Sequence, residues 1–136
     1  MSKYRILAVD DELLIRDLLY DFFTTQGWDI TVAENGQRAI DFLRNQDFDL
    51  VLTDLKMPDI DGMDLTGRIR NTHGSLPVII MTGYPTLETA LEALRFKVDD
   101  YIIKPFNVNQ LFKVAKKVIE ARANSQGTQT GKEARA

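Results

Sequence analysis

The chain has 136 residues, of which 44% are hydrophobic and 27% charged, with a net charge of −3. That size and mix suit one globular domain able to bury its own core, and the mild acidity argues against direct nucleic-acid contact. With no cysteine and a single histidine, disulfides, thiolate chemistry and Cys or His metal clusters are excluded, so any metal must be held by oxygen.

The N-terminal apolar run "YRILAV" (4–9) is too short for a signal-peptide core, and no stretch of about 18 apolar residues follows anywhere, which predicts a cytoplasmic protein away from the membrane. That run reads as the first strand. Leu14, Leu18 and Phe22 then step by four, the spacing of an amphipathic helix. "DITVA" (29–33) is a second strand, and a helix from Gly36 to Gln46, closed by Asn45, follows it. "FDLVLT" (48–53) is the third strand; the helix after it, Met63 to Thr72, is weakened by Gly67. "PVIIMT" (77–82) precedes a helix whose apolar positions are Leu87, Ala90, Leu91 and Leu94. "DYIIK" (100–104) precedes one carrying Leu111, Val114, Ala115, Val118 and Ile119, with Lys113, Lys116 and Lys117 on its outer side.

Several of the five strand runs are continuously apolar rather than alternating, as in strands buried on both faces. Regular alternation of strand and helix then implies a doubly wound α/β sandwich with a parallel sheet, because each right-handed crossover packs its helix back onto the sheet. The pattern leaves the strand order open. After Ala121 the sequence "RANSQGTQTGKEARA" has no large apolar residue, so residues 1–121 read as the domain and 122–136 as a flexible tail or linker.

In such sheets ligands bind beyond the carboxyl ends of the strands. Asp10 and Asp11 follow strand one, Asp54 strand three, Thr82 strand four and Lys104 strand five. Taken singly, Asp54 reads more readily as a helix cap or turn former, Thr82 as a loop residue and Lys104 as a surface lysine. Together they form one rim. Three carboxylates converging there repel one another unless a cation sits among them, and Mg²⁺ suits an all-oxygen site that keeps some positions for water or phosphate. Lys104 and Thr82 add a point charge and a hydroxyl, both suited to phosphoryl oxygens.

With these residues in view, the chain resembles the receiver domains of two-component response regulators. "ILAVDDE" resembles the family's acidic pair, "DLVLTDLKMPDIDG" its phosphoacceptor strand and loop, "PVIIMTGY" its hydroxyl switch strand and "DYIIKPF" its lysine–proline strand. The segment "GYPTLETALEAL" further resembles receivers attached to ATP-driven transcription activators. The resemblance implies a flavodoxin-like (βα)5 sandwich in strand order 2-1-3-4-5. It also implies that Asp54 accepts a phosphoryl group from a histidine kinase or phosphotransfer protein. Mg²⁺ would be held by Asp11, Asp54 and the Lys56 backbone carbonyl, with Asp10 acting through water. Thr82 and Lys104 would meet the phosphoryl oxygens, and Thr82 and Tyr101 would switch the face made by helix four, strand five and helix five, a face also suited to a phosphorylation-dependent homodimer. A cis Lys104–Pro105 peptide is implied as well.

Lys56, two residues after Asp54, and Tyr84, two after Thr82, are the side chains expected to control water access to the phosphoryl group. Lys97–Val98 stands where many receivers have Gly-Ala, and a valine tolerates positive φ poorly, so the turn before strand five is expected to differ. Trp28 is expected to pack at the sheet edge and His73 to lie in an exposed turn. The rival readings are a Mg²⁺-dependent phosphohydrolase with an aspartyl-phosphate intermediate, disfavoured because Lys56 stands where its general acid would be, a degenerate receiver used only for binding, and an electron-transfer flavodoxin.

Overall fold

Continuous apolar runs of four to six residues satisfy their backbone groups best as neighbouring strands, and the helices between them supply the crossovers that parallel pairing needs. The computed structural model describes residues 3 to 135, with side chains for residues 3 to 124. The elements in chain order are β1 (Arg5–Val9), α1 (Leu13–Thr25), β2 (Asp29–Ala33), α2 (Gly36–Asn45), β3 (Leu50–Asp54), α3 (Gly62–His73), β4 (Val78–Thr82), α4 (Leu87–Arg95), β5 (Asp100–Ile103) and α5 (Val108–Arg135). All neighbouring strands pair in parallel, in the order β2-β1-β3-β4-β5. That is the doubly wound, flavodoxin-like arrangement.

Because side chains alternate along a strand, the sheet divides its apolar residues between two cores. Leu7, Val9, Val51, Val78 and Ile80 face α2, α3 and α4, where Ala39, Leu43, Leu65, Ile69 and Ala93 meet them. Ile6, Ala8, Leu50, Leu52, Ile79 and Met81 face α1 and α5, against Leu19, Phe23, Leu111, Ala115 and Ile119. Trp28 is buried in the second layer, with ring centroids 5.0 Å from Tyr4, 5.3 Å from Phe23 and 5.0 Å from Phe112.

Two helices bury a different stripe from the one their spacing suggests. In α1 the sheet takes Leu19 and Phe23, with Ile15 and Phe22 half-buried, while Leu14 stays 81% exposed. In α4 the sheet takes Ala93, and Leu87 and Leu94 remain 77% and 75% exposed. Both helices are apolar on more than one side, and the small side of α4 is the one that lets it approach the sheet. In α5 the expected row holds: Leu111, Ala115 and Ile119 are buried and the three lysines exposed.

The turn into β5 keeps its left-handed residue, but Lys97 rather than Val98 occupies it, with φ 59°. The strain expected of Val98 therefore does not arise, and the Lys97 and Val98 amides close onto the carbonyls of Leu94 and Ala93. The Arg70 guanidinium then holds the carbonyls of Phe96 and Lys97 from below. His73 ends α3 rather than lying in the turn after it, and its ring nitrogens meet the Thr72 hydroxyl and the Leu43 carbonyl.

Where composition predicts an unordered segment after Ala121, the described backbone continues as helix to Arg135. Extending an existing helix adds a hydrogen bond for each residue fixed, unlike starting one, so a polar sequence without proline can continue it. Ala136 and the side chains after residue 124 lie outside what is described. Among the described residues, no helix is long and apolar enough to cross a membrane.

Candidate functional site

The register builds the rim. Val9 lies opposite Thr53, Asp54 opposite Met81, and Thr82 opposite Ile103, so Asp10, Asp54, Thr82 and Lys104 emerge together at the carboxyl edge of the sheet. Asp10 is fully buried, Asp54 is only 6% exposed, and Thr82 is buried.

Lys104 bridges the carboxylates. Its ammonium donates to Asp10 Oδ2 at 2.7 Å and lies 3.4 Å from Asp54 Oδ2 and 3.5 Å from Glu12 Oε1. Asp10 Oδ1 accepts from the Glu12 amide at 2.9 Å, and the Asp10 carbonyl accepts from Arg16 Nη1 at 2.8 Å. A cis Lys104–Pro105 peptide follows the lysine.

One cation does not balance this cluster. Carboxylate oxygens of Asp10, Glu12 and Asp54 lie within 4.8 Å of one another; two unit charges at that separation repel by about 3 kcal/mol at an effective dielectric of about 20. Burial first, and the Asp10 charge second, push the Asp54 carboxyl up to about 6, against the pull of Lys104. Burial also raises Asp10, although the Lys104 bond opposes it. Burial disfavours the Lys104 charge, yet its contacts with Asp10 and Asp54 outweigh this and raise its pKa. A group of hard oxygen donors short of positive charge fits a divalent cation such as Mg²⁺. Among the described residues Glu12, rather than Asp11, joins Asp10 and Asp54 in that group. Asp11 is exposed beside them and adds to the negative field at Asp54.

The remaining expected residues frame the mouth. The Thr82 hydroxyl accepts from the Tyr84 amide at 3.0 Å. The Lys56 ammonium stands 6.0 Å from the centroid of the Tyr84 ring, so the two side chains expected to govern water access meet each other. Tyr101 is half-buried, and its hydroxyl pairs at 2.7 Å with that of Thr89, which also belongs to the capping box starting α4.

Sequence reasoning missed Glu12 and Thr89 as participants. Glu12 stands in the quoted "DDE" and Thr89 in "TLET", a Thr-x-x-Thr spacing that signals a cap. Neither spacing reveals the distant partner.

The comparisons agree with this geometry. The response regulator receiver domain family matches residues 6–116. The regulatory protein AtoC of Escherichia coli is 38% identical over 119 residues, covering 88% of this chain and 26% of AtoC. The response regulator PilR of Pseudomonas aeruginosa is 38% identical over 111 residues, covering 82% of this chain and 25% of PilR. The chain thus spans about a quarter of the length of these relatives. Among solved structures, a CheY-like receiver domain protein from Methanospirillum hungatei superposes with a TM-score of 0.88 at 29% identity, covering 91% of this chain and 99% of its own. The response regulator TrrA of Thermotoga maritima, solved in complex with Mg²⁺ and BeF, gives 0.77 at 36% identity, covering 85% and 98%. A parallel sheet in receiver order, an acidic rim bridged by a strand-five lysine and a family match over most of its length lead to one conclusion: the chain belongs to the receiver domains of two-component response regulators.

Proposed function

We propose that this receiver is a signalling switch whose Asp54 accepts a phosphoryl group from the phosphohistidine of a histidine kinase or phosphotransfer protein. The observation that carries the reading is the rim-end Asp54 carboxylate, desolvated, crowded by Asp10 and reached by the Lys104 ammonium at 3.4 Å. An Asp54 oxygen attacks phosphorus while the phosphorus–nitrogen bond breaks and its electron pair leaves with the imidazole. Transfer of this kind spreads charge over three equatorial oxygens, so positioning and cations do most of the catalysis. Lys104 supplies one fixed charge, and the buried Asp10 holds that lysine at the rim.

Asp11, Asp54 and the Lys56 carbonyl would hold Mg²⁺ directly, with Asp10 acting through water and Glu12 adding a further carboxylate to the rim. When bound, the ion would neutralise the acidic rim and draw charge from the phosphoryl oxygens. TrrA, solved with Mg²⁺ and BeF, supports this choice of cation.

Thr82 would turn its hydroxyl from the Tyr84 amide toward the phosphoryl group, vacating space beside β5 for Tyr101. That move releases Tyr101 from Thr89 and alters the face of α4, β5 and α5, where Leu87, Leu91, Leu94 and Ile103 already lie exposed. The partner is an output domain, a downstream protein or a second phosphorylated copy. Residues 1–121 would carry the receiver, with 122–136 its tail or linker.

Incubation with acetyl phosphate and Mg²⁺, read by intact mass, should add one phosphoryl group to the wild type and none to Asp54→Asn. Equal labelling of both would sink the assignment. The phosphohydrolase alternative is opposed by Lys56, which stands two residues after Asp54, where that mechanism uses a second aspartate as general acid, and whose ammonium lies over the Tyr84 ring. Steady turnover of p-nitrophenyl phosphate would reverse that judgement.

A further inference from the structure

The β3–α3 loop, residues 55 to 61, connects the phosphoacceptor strand to α3 and carries Lys56. One end is pressed against the strand: the Gly62 amide donates to the Leu55 carbonyl at 2.7 Å, and a Cβ at Gly62 would stand 2.3 Å from the Asp54 carbonyl oxygen. Asp61 caps α3 by accepting from the Asp64 amide at 2.8 Å. The middle of the loop is tied elsewhere. Asp59 Oδ1 accepts from the Gly36 amide at 3.1 Å and Oδ2 from the Gln37 amide at 2.9 Å, the first two amides of α2. Asn35 satisfies the third, accepting from Arg38 at 2.8 Å. A Cβ at Gly36 would stand 2.7 Å from Ile60 Cβ, so glycine there lets the loop sit directly on the helix.

We infer that Asp59 is a positioning residue for the cation site: by tying the loop to the start of α2, it fixes where the Lys56 carbonyl is presented. The inference rests on the proposed role of that carbonyl in holding Mg²⁺. A side-chain ligand can adjust by changing rotamer, whereas a backbone carbonyl goes only where its peptide is held. Lys56 is three residues from the tether, with Pro58 stiffening the segment between. The carboxylate makes no contact with the acidic rim in the hydrogen bonds that hold it, so its effect is mechanical. The Gln37, Ile60 and Gly36 amides keep it ionised by holding its pKa below the ordinary range, although desolvation pulls the other way.

The test is calorimetric titration of the whole chain with MgCl₂, comparing wild type with Asp59→Ala, Asp59→Asn and Asn35→Ala. Asp59→Ala should weaken Mg²⁺ binding by about tenfold, the lower end of the effect expected for residues that orient a metal ligand. Its labelling by acetyl phosphate should recover at saturating Mg²⁺. Asn35→Ala removes a cap from the same helix without touching the loop. It should lower thermal stability while holding affinity within about twofold of wild type. Asp59→Asn loses the charge but keeps an acceptor, and should bind more tightly than the alanine variant. Wild-type affinity in Asp59→Ala, equal weakening in Asn35→Ala, or identical loss in the asparagine and alanine variants would each overturn the tether. A wild type that binds no Mg²⁺ would overturn the cation reading along with it. One that binds Mg²⁺ yet is never labelled would overturn only the phosphoacceptor role, and the affinities would still decide Asp59.

Discussion

Two charged clusters sit at different parts of this sheet, one with cations in excess and the other with carboxylates in excess. Asp99, just before β5, accepts from the Val78 amide at 3.0 Å and from Arg122 Nη2 at 2.7 Å, with Arg70 Nη2 at 3.7 Å. The arginines spend their other donors on carbonyls: Arg70 on those of Phe96, Gly74, Leu76 and Lys97, and Arg122 on that of Ser75. Beyond the carboxyl ends of the strands, Lys104 instead faces Asp10, Glu12 and Asp54, and the Asp54 carboxyl rises to about 6. The arginine cluster sets two guanidinium groups on one carboxylate, meets their remaining donors with backbone carbonyls and fastens α5 and α3 to the sheet. The lysine cluster sets one ammonium against three carboxylates and leaves negative charge in excess. Excess carboxylate charge at the ligand-binding edge of the sheet, with the Asp54 carboxyl shifted upward, marks the lysine cluster as the candidate site.

The largest effect should come from Asp54→Asn, which is expected to abolish phosphoryl labelling while leaving the fold intact. In the absence of Mg²⁺ it should also melt higher than wild type near neutral pH, because it removes a desolvated and repelled charge. A lower melting temperature would show that Asp54 stabilises the metal-free rim and would erase the contrast between the clusters.

Asp99→Ala should do the reverse. It leaves two part-buried guanidinium groups facing each other and the Val78 amide without its carboxylate partner, for a loss of about 2–4 kcal/mol in denaturant unfolding. Its labelling at saturating Mg²⁺ should remain near the wild-type level. A loss below about 0.5 kcal/mol would put the arginine cluster with ordinary surface ion pairs.

The third contrast is in pH. Because the folded-state pKa of Asp54 lies above its ordinary value of 3.8, the folded chain holds this proton longer than the unfolded one. The associated stability is fully present below about pH 4 and is lost as pH rises through about 6. Asp10 shifts in the same direction. Allowing for solvent screening, Asp54 should account for about 1–2 kcal/mol. The quantity to follow is the stability difference between wild type and Asp54→Asn in chelator. It should move against the wild type as pH goes from 4.5 to 7.5, and a flat difference would refute the shift. Saturating Mg²⁺ should remove the slope.

A smaller effect concerns signal lifetime. The Lys56 ammonium stands 6.0 Å from the centroid of the Tyr84 ring, and neither an ammonium, which can only donate hydrogen bonds, nor a phenol supplies the carboxylate or carboxamide that would orient an in-line water. Lys56→Asn/Tyr84→Glu should lose its phosphoryl group several-fold faster after donor removal, an effect of about 1 kcal/mol on the barrier. Equal or slower loss would show that these residues do not control water access.

The smallest expected change is in Thr89→Val, which removes the hydroxyl pairing with Tyr101 together with the Thr89 half of the α4 capping box, each at a cost of about 1 kcal/mol. Tyr101 should then move to its inward position at a lower degree of phosphorylation, read as chemical-shift changes across residues 84 to 106. Unchanged shifts there in the unphosphorylated variant would show that Thr89 does not hold the tyrosine out.

The five strands, their helices and the rim residues Asp10, Asp54, Thr82 and Lys104 were legible in sequence because they depend on local signals. Short apolar runs become strands, and residues directly after parallel strands reach the carboxyl edge whatever the strand order. The strand order itself came from resemblance. Periodicity located α1 and α4 but misjudged the stripe that packs, since Leu14 and Leu87 satisfy the same spacing as residues that are buried. Which stripe packs depends on the space the sheet leaves.

Partners far apart in the chain were not readable for the same reason. Glu12 meets Lys104, Asp59 meets the start of α2, Thr89 meets Tyr101, and Lys97 takes the left-handed turn in place of Val98. Sequence alone determined the chemical types available at each strand end, because those types travel with the local pattern. Only the tertiary structure decided which carboxylates surround Lys104, which loop is tethered and which apolar stripe stays in water, because each depends on groups brought together by the packing of whole elements.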